Sequence, residues 1–131
     1  MIDKLKFHHV GIIVDNISKK QLEKTFMSKF IMDPIQETSV LFIKDQGQKI
    51  YIEYILKEGR VKHSKLGVAH YCYSVNDLAE LKIFESYIKN KKLGFSVTKL
   101  EKSIAKECNY VKFFYLKNYS LIEINVENIS V

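Results

Sequence analysis

The sequence predicts an α+β fold composed of two tandem β-α-β-β-β modules. Three observations support this prediction: β-branched apolar segments alternate with segments of helical periodicity, the same order of elements occurs twice, and no Gly/Ser-rich linker separates the two copies. A chain of 131 residues with 47% hydrophobic residues is typical of one domain with a core of its own. We therefore expect a single domain over residues 1–131, with halves at roughly 1–56 and 67–131 and a polar connection over 57–66.

The first module is predicted to contain one helix and four strands. Leu22, Phe26 and Phe30 follow one another at intervals of four, which indicates a helix over Ser18–Lys29, capped by its first residue. The segment Asp45–Gln48 contains Gly and is typical of the turn in a hairpin. The predicted strands are Phe7–Val14, Ile35–Thr38, Val40–Lys44 and Lys49–Leu56.

The second module repeats this order of elements. Its helix is predicted over Asp77–Asn90, and the apolar residues on one face of that helix are Leu78, Leu81, Phe84 and Ile88. The predicted strands are Gly67–Val75, Phe95–Leu100, Val111–Leu116 and Ser120–Val126.

The two modules also match residue by residue. When His9 on the first strand is aligned with His70, the apolar residues around them correspond, for example Val14 and Val75. The last strands correspond in the same way, because Glu53 and Glu123 each follow an Ile in an apolar segment. Each half therefore offers one histidine on its first strand and one glutamate on its last.

These four residues form a candidate metal site. A glutamate within an apolar strand is costly to bury unless it is paired or coordinated, although each glutamate could instead face solvent on a half-exposed strand. Two imidazole nitrogens and two carboxylate oxygens suit Zn, Ni, Co, Mn or Fe(II) and leave positions for water or substrate, whereas calcium prefers more oxygens. We predict His9, Glu53, His70 and Glu123 as ligands of one divalent metal ion.

Small residues beside the histidines predict a substrate pocket. Gly11, Cys72 and Ser74 each share the face of the histidine on their own strand, where a larger side chain would fill the space. A metal ion next to such a pocket could polarise a substrate carbonyl, and Glu123 could take a proton from the adjacent carbon.

The remaining histidines and the cysteines are weaker candidates for metal binding or catalysis. His8 points to the opposite face from His9, which favours a surface or core-packed imidazole, and His63 lies in the charged connection, where we expect exposure. Cys72 has no evident base partner for nucleophilic work. Cys72 and Cys108 are too few and too far apart in sequence for a disulfide framework, which favours reduced thiols and a cytoplasmic location.

The composition limits the classes of partner. The 21 basic and 15 acidic residues give a net charge of +6, which favours an anionic small molecule. The lysines are dispersed over predicted helices and loops without a nucleic-acid module, so we expect no nucleic-acid partner. We also expect no membrane association, since no apolar segment approaches the roughly 18 residues of a spanning helix.

The chain resembles the vicinal oxygen chelate superfamily, the glyoxalase, bleomycin resistance and dioxygenase group, in the pattern of its methylmalonyl-CoA epimerase and glyoxalase I branches. The resemblance covers nearly the whole chain, and it depends on the order and spacing of its segments. These segments are Phe7–Ile12 with Asp15–Ile17, Ile52–Tyr54, Gly67–Tyr71 with Val75–Leu78, Val111–Phe114 and Leu121–Ile124.

The resemblance implies a fold, a site and an assembly. His9, His70 and Glu123 fall where epimerase-like members keep metal ligands, and Glu53 falls at the family's variable Glu or Gln ligand. Epimerases carry a catalytic base between the first helix and the strand of the variable ligand, and Glu37 is the candidate here. The family's sheets curl into a half-open barrel with the helices outside, usually in a homodimer.

The resemblance also implies a range of functions. The first is an epimerase or isomerase that removes a proton beside a carbonyl, with an anionic acyl-CoA as the substrate. A glyoxalase I-like lyase, an Fe(II) dioxygenase and a metal-free small-molecule-binding module are the alternatives. The chain lacks the Pro that epimerases have after the Glu53 position and the Gly-Gly pair before the final glutamate, and its Lys117–Ser120 connection is tighter than in glyoxalases.

Overall fold

The computed structural model describes residues 2–45, 47, 49–105 and 107–129, which contain two α-helices and nine strands. The first module has β1 (Lys6–Val14), α1 (Asn16–Phe26), β2 (Ile31–Asp33), β3 (Thr38–Asp45) and β4 (Ile50–Leu56). The second has β5 (Gly67–Asp77), α2 (Leu78–Asn90), β6 (Gly94–Ser96), β7 (Glu101–Lys102), β8 (Tyr110–Leu116) and β9 (Ser120–Asn128). Short 3₁₀ helices cover Ile2–Lys4 and Gly59–Val61. The α+β class and the repeated order of elements are confirmed, with β7 as an addition.

Residues 9–69 form one compact unit, and residues 1–8 with 70–131 form another. In the 9–69 unit the strands are ordered β2-β3-β4-β1, with antiparallel pairs except for β4 and β1, which are parallel. The parallel pair follows from the connection, since α1 and the β2-β3 segment carry the chain back before β4 begins. Ile13, Val40 and Ile55 form a buried hydrophobic cluster in this unit.

In the 70–131 unit the strand order is β5-β9-β8-β6, and β7 also pairs with β8. β5 and β9 are parallel, while the pairs made by β8 are antiparallel. α2 covers the sheet with the apolar face that its sequence predicted, since Leu81, Phe84 and Ile88 are buried. Neither α2 nor α1, the two helices in the described ranges, has the length and apolar character needed to cross a bilayer.

The first helix differs from its prediction of Ser18–Lys29. It begins at Asn16 because Asp15 is the cap: its Oδ1 accepts a hydrogen bond of 2.8 Å from the backbone N–H of Ser18, which lies inside the helix. These hydrogen bonds hold the pKa of Asp15 below its usual value. Met27 has φ of 53° and ends the helix in the left-handed conformation. All residues of α1 are described, and each remains half-buried or exposed.

Two predicted strands were wrong in detail. The segment Ile35–Thr38 is mostly a turn, because Asp33 Oδ1 accepts a hydrogen bond of 2.9 Å from the N–H of Ile35 and redirects the chain after β2. Of the predicted strand Phe95–Leu100, only Phe95 and Ser96 lie in a strand, β6. Residues 97–100 are irregular, and Thr98 Oγ1 there accepts a bond of 3.0 Å from the N–H of Phe113. Two residues of the predicted hairpin turn, 46 and 48, lie outside the described residues.

The N-terminus of α2 allows a stability prediction. Asp77 Oδ1 accepts a 3.0 Å hydrogen bond from the N–H of Glu80, and the Glu80 carboxylate accepts one of 2.9 Å from the N–H of Asn76. We expect Asp77→Ala to lower the free energy of unfolding by about 1 kcal/mol, as urea titration would measure. Asp77→Ser, which keeps an acceptor, should lose less, and equal losses in both variants would contradict the capping role.

Candidate metal centre

The 9–69 unit brings His9 and Glu53 into contact. Gly11 is the partner of Glu53 in the parallel β1-β4 register, so His9, two residues earlier, lies diagonally across from the glutamate on the same face. His9 Nε2 is 3.3 Å from Glu53 Oε1, and the two side chains are only 0% and 3% exposed. This pair of strands therefore holds a buried imidazole nitrogen and a buried carboxylate oxygen side by side, and both atoms are of the kind that binds metals.

The 70–131 unit repeats this arrangement. Cys72 is the partner of Glu123 in the parallel β5-β9 register, and His70 lies diagonally across from Glu123. His70 Nε2 is 3.2 Å from Glu123 Oε1, with both side chains buried. The alternative in which the glutamates face solvent is wrong, because Glu53 and Glu123 are 2% and 5% exposed.

His9 and His70 are each packed against a phenylalanine that the sequence reasoning did not single out. Phe42 is opposite Glu53 on β3, and its ring meets that of His9 edge to face, at 5.1 Å between ring centroids. Phe113 is opposite Glu123 on β8 and meets His70 in the same way at 5.3 Å. An alignment of the two modules extended to β3 and β8 would have found this pair. Both imidazoles are buried beside these rings.

The distances within each pair fit two ligands of one metal ion. Two ligand atoms each about 2.1 Å from a metal are about 3.0 Å apart at a right angle and about 3.4 Å apart at the tetrahedral angle. The observed distances of 3.3 Å and 3.2 Å between Nε2 and Oε1 lie in this range. Imidazole nitrogen and carboxylate oxygen are also the donors that borderline divalent metals prefer.

Gln36 is a third residue that the sequence reasoning missed. Its side-chain Nε2 donates hydrogen bonds of 2.9 Å to Glu53 Oε2 and to Asp33 Oδ2, and Gln36 and Asp33 are both buried. No local pattern in the sequence could have found this contact, since 17 positions separate Gln36 from Glu53.

Glu37, the candidate base, has a different environment. It lies in the turn before β3 with φ of 58°, and its carboxylate accepts a 3.2 Å hydrogen bond from Arg60 Nε. Both side chains are 56% exposed. In this turn, the side chain that contacts Glu53 is the amide of Gln36, and an amide cannot accept a proton as a base. A catalytic role for Glu37 stays a prediction.

The residues of the predicted pocket are buried and small. Gly11 and Cys72 are buried on β1 and β5, and Ser74 Oγ accepts a 3.2 Å hydrogen bond from Asn125 Nδ2. Their contact with a substrate stays a prediction. Cys72 and Cys108 are both buried.

The two other histidines lie where the sequence predicted them. The ring of the half-buried His8 donates a hydrogen bond of 2.7 Å from Nε2 to the backbone carbonyl of Glu107, which makes it a packed structural side chain. His63 is exposed in the connection between the modules.

Comparison with solved structures identifies the fold. Methylmalonyl-CoA epimerase from Mycobacterium tuberculosis matches with a TM-score of 0.66 at 15% identity, over 94% of this chain and 88% of the epimerase. A hypothetical protein from Bacillus halodurans matches with a TM-score of 0.67 at 15% identity, over 98% of both chains. A Streptomyces coelicolor methylmalonyl-CoA epimerase in complex with 2-nitronate-propionyl-CoA matches with a TM-score of 0.60 at 15% identity, over 94% of this chain and 95% of that one.

The comparisons by sequence give no further identification. No protein-family model matches the chain, and no curated protein matches it significantly. The similarity is thus one of fold, and it extends over nearly all of this chain. The chain has the fold of these methylmalonyl-CoA epimerases, as the resemblance of its sequence implied.

Proposed function

We propose that His9, Glu53, His70 and Glu123 bind one divalent metal ion together, and that the protein is an enzyme that removes a proton beside a substrate carbonyl. The observation that carries the proposal is the buried His-Glu contact that occurs once in each unit, with the same strand register and nearly the same distance. A single buried His-Glu contact is well explained as an ion pair. The repetition of this contact in both units favours one metal ion that is bound by both pairs.

Each residue of the proposed site has its own role in such a reaction. A bound divalent metal would supply Lewis-acid stabilisation of the charge that develops on a substrate oxygen. Glu123 accepts the proton from the neighbouring carbon and returns it. His9 and His70 would bind the metal as neutral imidazoles, and the rings of Phe42 and Phe113 pack edge to face against them.

The proposed substrate is a small anionic acyl-CoA. Methylmalonyl-CoA epimerases have been solved with methylmalonyl-CoA and with 2-nitronate-propionyl-CoA, and they share this fold. The net charge of +6 suits the phosphates of CoA. We further propose a cytoplasmic homodimer, which the molecular mass from light scattering would test.

A lyase or isomerase of the glyoxalase I type is the second candidate, and Gln36 favours it. Epimerisation takes a proton from one face of a carbon and delivers it to the other, so it uses an acid-base group on each face. The turn residue in contact with Glu53 is an amide, and the carboxylate of Glu37 is paired with Arg60. A reaction with one base, Glu123, moves the proton between adjacent carbons instead.

The decisive experiment combines metal analysis with exchange of the substrate proton for solvent deuterium. We expect about one transition-metal ion per chain, and exchange of the α-proton of methylmalonyl-CoA in deuterium oxide. Glu123→Gln keeps an oxygen for the metal but loses the base, so we expect it to slow exchange by about 10²–10⁴-fold. Glu127→Gln is the matched control, since Glu127 lies on the same strand with its side chain 38% exposed.

The outcomes separate the candidates. Exchange without inversion at the α-carbon, or exchange only in an α-hydroxythioester, would favour the glyoxalase type. Metal with oxygen uptake and no proton exchange would indicate the dioxygenase. The protein would be purified without chelators and then incubated with the metal. If it still held no transition metal, every metal-dependent function would be contradicted, and the metal-free binding module would remain.

A further inference from the structure

We propose that Gln36 is a positioning residue that fixes the Glu53 carboxylate so that it binds the metal through Oε1 alone. This inference rests on the proposed metal site. It concerns a residue that touches a ligand and not the metal itself.

The hydrogen bonds of Gln36 define which oxygen of Glu53 remains for the metal. Gln36 Nε2 donates to Glu53 Oε2 at 2.9 Å, and Glu53 Oε1 is the atom 3.3 Å from His9 Nε2. A carboxylate that binds a metal through both oxygens turns both toward the ion. Because Oε2 faces the amide, the geometry favours one-oxygen binding by Glu53.

Asp33 holds the amide in place. The second hydrogen of Nε2 points to Asp33 Oδ2 at 2.9 Å, so both donors of the amide bind carboxylates. Asp33 Oδ1 in turn accepts from the N–H of Ile35 at 2.9 Å. Asp33 is therefore fixed to the backbone of the same turn, and it orients the amide toward Glu53.

The backbone around Gln36 is fixed as well. The carbonyl of Gln36 accepts a 3.3 Å hydrogen bond from the N–H of Arg60. Gly59 has φ of 54°, and a Cβ there would lie 1.8 Å from the carbonyl oxygen of Glu37. This close approach requires glycine, and it brings the 3₁₀ segment directly against the turn that carries Gln36.

These contacts have a consequence for metal affinity. A buried amide donor stabilises the carboxylate in one orientation, so little freedom is lost when the metal binds. Loss of a hydrogen-bond partner behind a metal ligand typically costs about 10–100-fold in affinity. We expect a loss of this size from Gln36→Met, which keeps the length of the side chain and removes both donors.

The test uses Co²⁺ as the probe, with the full chain stripped of metal. Affinity is measured by competition with a chelator, and the visible absorption of bound Co²⁺ reports its coordination. We expect Gln36→Met to bind Co²⁺ about 10–100-fold more weakly and with an altered visible spectrum. Gln21→Met is the matched control, since Gln21 is exposed on α1, and it should match the unmodified protein.

Each result decides the inference. Co²⁺ binding by Gln36→Met with unchanged affinity and spectrum would overturn it, while the metal site itself would stand. Failure of the unmodified protein to bind Co²⁺ would instead overturn the proposed function and the inference with it. If Gln36→Met does not fold, Asp33→Asn decides: it keeps the acceptor for Ile35 but disfavours the amide contact, and an unchanged Co²⁺ spectrum there would overturn the positioning role.

Discussion

Replacing His70 by alanine is expected to remove the metal ion from the purified protein, and replacing His9 is expected to do the same. Each substitution deletes one of the four proposed ligands. Loss of a residue behind a ligand already costs about 10–100-fold in affinity, so we expect a loss above about 100-fold. The two histidines lie in different compact units. Complete loss of the metal from each variant, measured as moles of metal per mole of chain, would therefore indicate one ion shared by both His-Glu pairs.

Stoichiometry separates this result from its alternatives. If each pair bound an ion of its own, the unmodified chain would hold two ions and each alanine variant would keep one. If the pairs were ion pairs only, no variant would change the metal content. His63→Ala is the matched control, because His63 is an exposed histidine, and it should keep the full metal content.

Phe114→Ala is expected to be the most damaging core substitution in the 70–131 unit. The Phe114 side chain is 1% exposed, and its ring meets that of Phe84 on α2 edge to face, with centroids 5.2 Å apart. Removal of a buried phenylalanine ring leaves a cavity and typically costs about 3–5 kcal/mol in the free energy of unfolding. Chemical denaturation followed by circular dichroism would measure this loss.

Another aromatic pair of the same unit provides the control. Phe95 stacks on Tyr115 at 5.7 Å between centroids, but the two residues are 62% and 44% exposed. We expect Phe95→Ala to lower the free energy of unfolding by no more than about 1 kcal/mol, because removal of a mostly exposed ring loses little buried apolar area. Comparable losses from Phe95→Ala and Phe114→Ala would contradict the assignment of Phe114 to the core.

The sequence by itself predicted the parts of the fold that depend on periodicity and repetition. The apolar strand around His9 and its copy around His70 were found because β-branched runs are visible without any long-range information. The face of α2 with Leu81 and Phe84 was predicted for the same reason. The His and the Glu of each half were singled out because the repeat places each of them at the same position in an apolar strand. Their contact within each half is a finding of the structure.

Side-chain hydrogen bonds decided the start of the first helix and the end of β2. Asp15 caps α1 where Ser18 was predicted to, because its carboxylate reaches the N–H of Ser18 one turn ahead. Asp33 turns the chain after β2, so the predicted strand at Ile35 does not form. Such bonds compete with regular structure over a few residues, and they cannot be predicted from hydrophobic periodicity.

Only the tertiary structure decided which residues of the turn before β3 surround Glu53. Gln36 and Glu37 are adjacent in sequence and similar in shape, yet Gln36 is buried against Glu53 and Glu37 is exposed beside Arg60. The path of the turn, fixed by Asp33 and by the close approach of Gly59, selects between them. The sequence therefore predicted the histidine and the glutamate that each half contributes to the proposed metal site. The fold determined which neighbours orient them, because those contacts join positions far apart in the chain.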